Sequence, residues 1–298
     1  MITANTKQEL TLRYEAPQTT PEAVALLAGA KGKVHILAGG TDLIVRMKGG
    51  YIEPDVVIDI KRIKDMQGIK KSANGMSVGG AVSCRSMGKH KALKKAWPGV
   101  VEAANLIGSD QIQGRCTMTG NLCNASPAAD TIPALIAADA KVRIIGPKGE
   151  RLLDVDKLPT GPGTNALKKG EIVVSIELPA RAAKSADAYL RFTPRTEMDI
   201  AVVSAAVNLT IDRKGVITDA RVALGAVAIT AIRVKEAEKV LMGNTLTDDV
   251  LSALAEACSA ACKPIDDKRG TVEYRTRVAG VLAKRAAQAA WTRAGGKA

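Results

Sequence analysis

Residues 34–43 read Val-His-Ile-Leu-Ala-Gly-Gly-Thr-Asp-Leu. The aliphatic run over 34–38 predicts a strand, and it enters Gly39-Gly40 with no polar residue between. Consecutive glycines let a backbone turn sharply and come close to a ligand, so that amide N–H groups converge on an anion. Thr41 and Asp42 stand where they can donate to that anion or cap the following turn. The spacing is neither G-x-G-x-x-G nor a P-loop, so the standard nicotinamide and ATP fingerprints are absent. Taken alone, the same residues also describe a tight strand-to-helix turn that binds nothing.

Around this turn the chain alternates helix and strand signals. Residues 21–30 predict a helix with Pro21 at its first position and Thr20 as cap. Residues 56–60 and 76–82 predict strands, and the order describes a small α/β unit. Residues 86–107 read as helical, split at Pro98, and 128–140 as helical despite Pro133. Between them, 108–124 is polar and has no clean period. A strand at 141–145 ends at the turn Gly146-Pro147-Lys148-Gly149, and a further strand at 171–178 follows the loop Gly161-Pro162-Gly163.

From about residue 180 the pattern changes. Apolar residues over 201–211 alternate with Ser204, Asn208, Thr210 and Asp212, which predicts a strand with one wet face. Lys214-Gly215 turns the chain into an antiparallel partner at 216–226. Helices are expected at 232–242, at 248–262 with Thr247 as cap, and at 272–291. Strands followed by helices predict an α+β domain with the helices on one sheet face.

A chain of 298 residues suggests about two domains at ~150 residues each. Aromatics are 2% of the chain, with Phe192, Trp97 and Trp291 among them, so the core is built from Ala, Val, Ile and Leu. That scarcity argues against a nucleic-acid reader that stacks bases on rings. The formal charge of +13 favours anionic partners in general. Its clusters, Lys61-Arg62-Lys64, Lys89-His90-Lys91 and Lys94-Lys95, read as solvated surface, with His90 exposed. Residues 1–5 lack a signal-peptide pattern, and no run approaches the ~18 apolar residues of a membrane span. Five cysteines without scaffold spacing predict reduced thiols and a cytoplasmic location. Cys258 and Cys262, on one helix face, are expected to be buried.

A second motif lies at Thr117-Met118-Thr119-Gly120-Asn121, continued by Leu122-Cys123-Asn124-Ala125-Ser126-Pro127-Ala128-Ala129-Asp130. Hydroxyls and backbone N–H groups around a glycine suit phosphate oxygens, and Asp130 can accept from ribose hydroxyls or an adenine amine. An ordinary polar loop with Asp130 as a helix cap fits the same composition.

The two motifs together resemble the FAD-binding medium subunit of the molybdenum hydroxylase family, which includes xanthine dehydrogenase and aerobic carbon monoxide dehydrogenase. That family carries A-G-G-[TQ]-[DNS]-L and later T-[IV]-G-G-N followed by A-S-P-x-x-D. Here they stand as Ala38-Gly39-Gly40-Thr41-Asp42-Leu43, Thr117 to Asn121, and Ala125-Ser126-Pro127 with Asp130. The likeness continues through Ser175-Ile176-Glu177-Leu178-Pro179, Tyr189-Leu190-Arg191-Phe192 with Arg195, Asp199 and Ala201, and Tyr274-Arg275.

The resemblance implies an α+β fold. A two-subdomain PCMH-type FAD-binding domain (residues 1–180, subdomains about 1–60 and 61–180) precedes a small α+β C-terminal domain (181–298) of the carbon monoxide dehydrogenase flavoprotein type. It implies that Leu37, Ala38, Gly39, Gly40, Thr41, Asp42 and Leu43 wrap the FAD pyrophosphate. Thr117, Thr119, Gly120 and Asn121 would hold the phosphate and ribitol side, Asp130 the adenosine, and Val173 an apolar contact near the flavin. Arg191 occupies the place of a cation beside the isoalloxazine, where positive charge would stabilise the anionic reduced flavin.

Two positions depart from the family pattern. Thr119 replaces the first glycine of the usual pair, and a β-branched residue is strained wherever φ is positive. Gln113 stands where an Arg is frequent. Cys116 and Cys123 flank the second motif without a cluster-binding pattern and read as core or loop residues. His35 precedes the first turn, where covalent flavin attachment is conceivable.

The function implied is an electron-transfer subunit with no catalytic or metal-ligating residues of its own. Electrons would come from a [2Fe-2S] small subunit and leave through FAD to an external acceptor such as NAD, a quinone or oxygen. Substrate would be oxidised on a molybdenum-cofactor large subunit, in a heterotrimer or a dimer of heterotrimers. The competing readings are a self-sufficient FAD oxidoreductase on the same fold and, from charge alone, a nucleic-acid-binding module, whose basic residues follow no binding motif.

Overall fold

The computed structural model describes residues 12–296; residues 1–5, read above for a leader, lie outside it. Three sheets carry the chain. The first is parallel, in the order β1 (Arg13–Glu15), β3 (Val56–Asp59), β2 (Val34–Leu37). Parallel neighbours need crossovers, and helices α1 (Thr20–Gly29) and α2 (Leu43–Lys48) supply them. Thr19, not Thr20, caps α1: its Oγ1 accepts the Glu22 N–H, and the Glu22 carboxylate accepts the Thr19 N–H in return. Thr20 is the first helical residue and is buried.

The second sheet is antiparallel, in the order β4 (Ile69–Ser72), β5 (Gly75–Gly79), β10 (Ile172–Pro179), β6 (Lys141–Gly146), β7 (Gly149–Asp154). Helices cover one face: α3 (Cys84–Lys89), α4 (Lys91–Ala96), α5 (Pro98–Asn105), α6 (Asp110–Gln113), α7 (Met118–Cys123) and α8 (Thr131–Ala137). The expected helix over 86–107 is thus three short ones. Pro98 opens α5, and His90 breaks the chain earlier by accepting the Leu93 N–H on Nδ1 at 3.1 Å. His90 is therefore a half-buried cap rather than an exposed surface residue. On the opposite face, Ile172 and Val174 of β10 pack on Ile60, Ile63, Met66 and Ala23, which docks the first sheet against the second. A small hairpin, β8 (Pro159–Gly161) and β9 (Thr164–Asn165), precedes β10.

The third sheet is antiparallel, in the order β11 (Ser185–Phe192), β12 (Val203–Ile211), β13 (Ile217–Gly225), β14 (Ile232–Arg233). Helices α9 (Lys235–Leu241), α10 (Asp248–Ala260) and α11 (Val272–Ala294) bury one face, and Thr247 caps α10 as expected. The helix expected from residue 232 begins later because Ile232 and Arg233 pair as a strand with β13. Cys258 is buried and Cys262 half-buried.

The expected wet face is only partly wet. Tyr189, Ala206 and Ala223 join the core formed with α5 and α8, and Ser204 is buried there. Small side chains let those helices sit directly on the strands, which is why the face looks polar in sequence and is covered in the fold. Polar clasps close this seam. Asp187 accepts the Val100 N–H at 3.1 Å and pairs with Arg181, whose guanidinium stacks 3.9 Å above the Trp97 ring centre. Glu102 accepts the Tyr189 N–H at 3.1 Å and pairs with Arg293.

Candidate functional site

Strand β2 is an edge strand. Its Lys33 and Leu37 carbonyls turn inward, accepting the Asp55 and Ile60 N–H groups at 2.9 and 3.1 Å. The alternation of a parallel ladder leaves the backbone edges of Val34 and Ile36 facing away from β3. A cavity of about 960 Å³ lies along that open edge. Its size is at the upper end of the ~300–1,000 Å³ usual for small-molecule and cofactor sites.

The first turn forms one end of the cavity wall. Gly40 has φ +79°, a left-handed conformation that suits glycine. Among the described residues, the N–H groups of Gly39, Gly40, Thr41 and Asp42 find no protein acceptor. Four adjacent unclaimed donors bordering a cavity are a ready cradle for an anion. A side chain on Gly39 would place its Cβ 2.3 Å from the Arg115 carbonyl oxygen and 2.7 Å from the Cys116 Cα. The first turn therefore rests directly on the backbone that leads into the second motif. Asn124 Nδ2 also donates to Asp42 Oδ1 at 3.4 Å across the same junction.

The second motif, expected to be irregular, is helix α7. Thr117 caps it by accepting the Gly120 N–H on Oγ1 at 2.9 Å. Six residues around an internal glycine are too few to show a 3.6-residue period, so composition concealed it. Asn121 Oδ1 accepts both the N–H and the hydroxyl of Thr131, at 3.1 and 2.7 Å, and so ties α7 to α8. Thr119 is buried inside α7 and has no positive φ, so the strain expected from replacing a glycine does not arise. Thr119→Gly should lower stability by about 0.5 kcal/mol through helix propensity and leave cofactor affinity within twofold. Urea titration and flavin binding would check this, and a gain in affinity would show that the glycine matters. Gln113 is buried, donates to the Asn105 carbonyl at 2.6 Å, and does not reach the cavity.

Ala38, Gly39, Gly40, Thr41, Asp42, Leu43, Thr117, Thr119, Gly120, Asn121 and Val173 all border the cavity. Leu37, Asp130 and Arg191 do not. Leu37 packs beneath the turn, with Cδ1 2.8 Å from where a Gly40 Cβ would stand. Asp130 and Arg191 are brought to each other instead: Arg191 Nη1 donates to Asp130 Oδ1 and Oδ2 at 3.0 and 2.9 Å, and the Tyr189 hydroxyl donates to Oδ1 at 3.0 Å. The cation expected beside the flavin is thus the buried partner of the carboxylate expected on the adenosine. Burial raises the Asp130 carboxyl above its usual value, and Arg191 opposes that rise.

Four basic side chains, Lys31, Arg46, Lys168 and Lys169, border the cavity against two acids, Asp42 and Glu171. Glu171 is already matched by Arg151 at 2.7 Å, so the cavity favours an anion. Sequence reasoning did not single out these cations. The signal available was Lys168-Lys169 beside Gly170, whose φ is +82°. Burial, with Arg46 and Lys33 nearby, lowers the His35 pKa and disfavours the charged imidazolium. Cys116 and Cys123 are cavity-wall residues.

Residues 8–181 match the family model described as FAD binding domain in molybdopterin dehydrogenase, and residues 188–290 match the CO dehydrogenase flavoprotein C-terminal domain. The chain belongs to the FAD-binding subunits of the molybdenum hydroxylases. It is 33% identical to the carbon monoxide dehydrogenase medium chain of Hydrogenophaga pseudoflava over 282 residues, 94% of this chain and 97% of that one. It is 28% identical to a putative xanthine dehydrogenase FAD-binding subunit of Escherichia coli (strain K12) over 286 residues, 95% of this chain and 97% of that one. It superimposes with a TM-score of 0.90 and 34% identity on a chain of a solved Hydrogenophaga pseudoflava carbon monoxide dehydrogenase that lacks the Mo-pyranopterin moiety, covering 95% of this chain and 98% of that one. This molybdenum hydroxylase subunit is part of an oxidoreductase, and FAD is its cofactor. The unclaimed amides, the glycine approach and the excess of cations fit a diphosphate-bearing dinucleotide.

Proposed function

We propose that this chain is the flavin relay of a molybdenum hydroxylase complex, taking electrons from a [2Fe-2S] small subunit and passing them to an external acceptor. The observation that carries the reading is the contact between the Gly39 backbone and the Arg115–Cys116 backbone, which joins two sequence-distant cradles around one cavity. The division of labour follows from the residues. The amides of Gly39 to Asp42 hold the diphosphate, Lys31, Arg46, Lys168 and Lys169 neutralise it, and Ile36, Ala38 and Val173 exclude water from the ring system. Asp130, Arg191 and Tyr189 act one step away, fixing the C-terminal sheet against the start of α8. Bound FAD supplies a centre that exchanges electrons singly or in pairs, and so links one-electron donors to two-electron acceptors.

Relatives named as medium chains or FAD-binding subunits support assembly with a [2Fe-2S] subunit and a molybdenum-cofactor large subunit in a heterotrimer. NAD, a quinone or oxygen fits as acceptor. The same reading takes residues 1–180 as the cofactor domain and 181–298 as the C-terminal domain, in the cytoplasm. No helix among the described residues is long and apolar enough to cross a membrane.

The test is an absorption spectrum of the purified chain, alone and with co-purifying partners. A yellow, releasable flavin that phosphodiesterase converts to FMN is the expected result. Steady-state substrate turnover by the chain alone would replace the relay with a self-sufficient flavin oxidoreductase.

A further inference from the structure

Cys84 and Cys116 come from segments far apart in sequence and meet behind the cavity. Ser83 and Thr117 form an antiparallel bridge, and the Cys84 N–H donates to the Cys116 carbonyl at 2.9 Å. That bond sets the two cysteines opposite each other beside the bridge, and the usual Cα separation of such a pair, about 5.5 Å, falls inside the range of about 4.4–6.8 Å that a disulfide spans. Both are free thiols. Cys116 borders the cofactor cavity, whereas Cys84 is fully buried and not part of its wall.

The surroundings make the two sulfurs unequal: the neighbouring Cys116 thiol and burial raise Cys84, whereas Cys84 beside it lowers Cys116. Such a pair has an attacking sulfur facing the cavity and a resolving sulfur behind it. The remaining thiols are poor competitors: burial pushes Cys123 and Cys258 up to about 12 and Cys262 up to about 11.

We propose that Cys116 and Cys84 are a modification site for hydrogen peroxide in the wall of the cofactor cavity, closing to a disulfide when the cavity is empty and shielded when it is filled. The Cys116 sulfur attacks one peroxide oxygen; an S–O bond forms, the O–O bond breaks, and the departing hydroxide leaves as water with the thiol proton. The Cys84 sulfur then attacks the Cys116 sulfenic acid. An S–S bond forms, the S–O bond breaks, and the Cys84 proton leaves with the hydroxide as a second water. Two thiols lose two electrons in all, and the peroxide gains them. The shielding clause rests on the FAD reading above; the dithiol chemistry does not.

The experiment treats the full chain, stripped of flavin and loaded with FAD, with the same dose of hydrogen peroxide, then counts thiols after denaturation. The stripped chain should lose two of its five thiols, show a Cys84–Cys116 peptide cross-link, and recover all five with dithiothreitol. The FAD-loaded chain should keep five. Cys84→Ser should stop at a Cys116 sulfenic acid trapped by dimedone, and Cys116→Ser should abolish reaction at both positions. Survival of every thiol in the stripped chain, or a cross-link between other cysteines, overturns the proposal. Equal oxidation of stripped and loaded chains overturns the shielding clause. A chain that takes up no FAD overturns the cofactor reading, while the cross-link in the chain alone still decides the dithiol.

Discussion

Gly40→Val should purify folded and colourless. Gly40 sits at φ +79°, and a Cβ there would stand 2.8 Å from both Leu37 Cδ1 and Ile44 Cδ1. Holding a β-branched residue in that conformation costs about 1–3 kcal/mol, which a core of this size survives. The turn would escape by rotating its peptides, and the amides of Gly39 to Asp42 would no longer converge. Hydrogen bonds to a charged group contribute about 1.5–3 kcal/mol each, so losing two weakens FAD by at least about a hundredfold. Gly149→Val is the matched control: its φ is +106°, nothing lies within 4 Å of the added Cβ, and it does not itself border the cavity. The ratio of flavin to protein absorbance, read beside a thermal melt, separates the two. Normal flavin content in Gly40→Val would remove the diphosphate from this turn.

Arg191→Ala should cost the most stability, and the cost should depend on pH. The Arg191 side chain is 5% exposed and its Asp130 partner 11%, so truncation leaves a buried carboxylate with only the Tyr189 hydroxyl. Removing one partner of a buried pair costs about 3–5 kcal/mol. Burial already raises Asp130 and Arg191 restrains it, so the variant's carboxyl rises further. A group raised in the folded state favours folding below its unfolded pKa of about 3.9. That favour is lost as pH rises through the folded value. The deficit relative to the parent chain is therefore largest at high pH and shrinks as the solution is acidified and Asp130 takes up its proton. Urea titrations from pH 8 to pH 5 would show the convergence. A deficit independent of pH would mean that Asp130 is not the group left exposed to the penalty.

The first turn was legible because strand, glycine pair and hydroxyl stand next to each other in the chain. The hydroxyls and amides around Gly120 placed the second motif, but not its form: α7 is too short for periodicity, and its capping Thr117 is recognisable only once Gly120 is seen to donate to it. Spacing also hid the partner of Asp130: its place after Asn121 suggested an acceptor for ribose hydroxyls or an adenine amine, and Arg191, 61 residues away, pairs with it because β11 packs beneath α8. Lys31, Lys168 and Lys169 were not singled out for a similar reason, since only the packing of the first sheet on the second brings the start of β2 to the loop before β10. Over 185–192, Ala186, Asp187 and Ala188 blur the alternation that marks a strand, although eight residues pair there.

The small-residue face of the third sheet also bears on how this polypeptide could be divided. Severing it between Pro179 and Ser185 would strip cover from Tyr189, Ala206 and Ala223 on one piece and from the outer sides of α5 and α8 on the other. Neither fragment would stay dispersed by itself. Made in the same cell, each would serve as the other's missing half, reuniting through Asp187 with Val100 and Glu102 with Arg293.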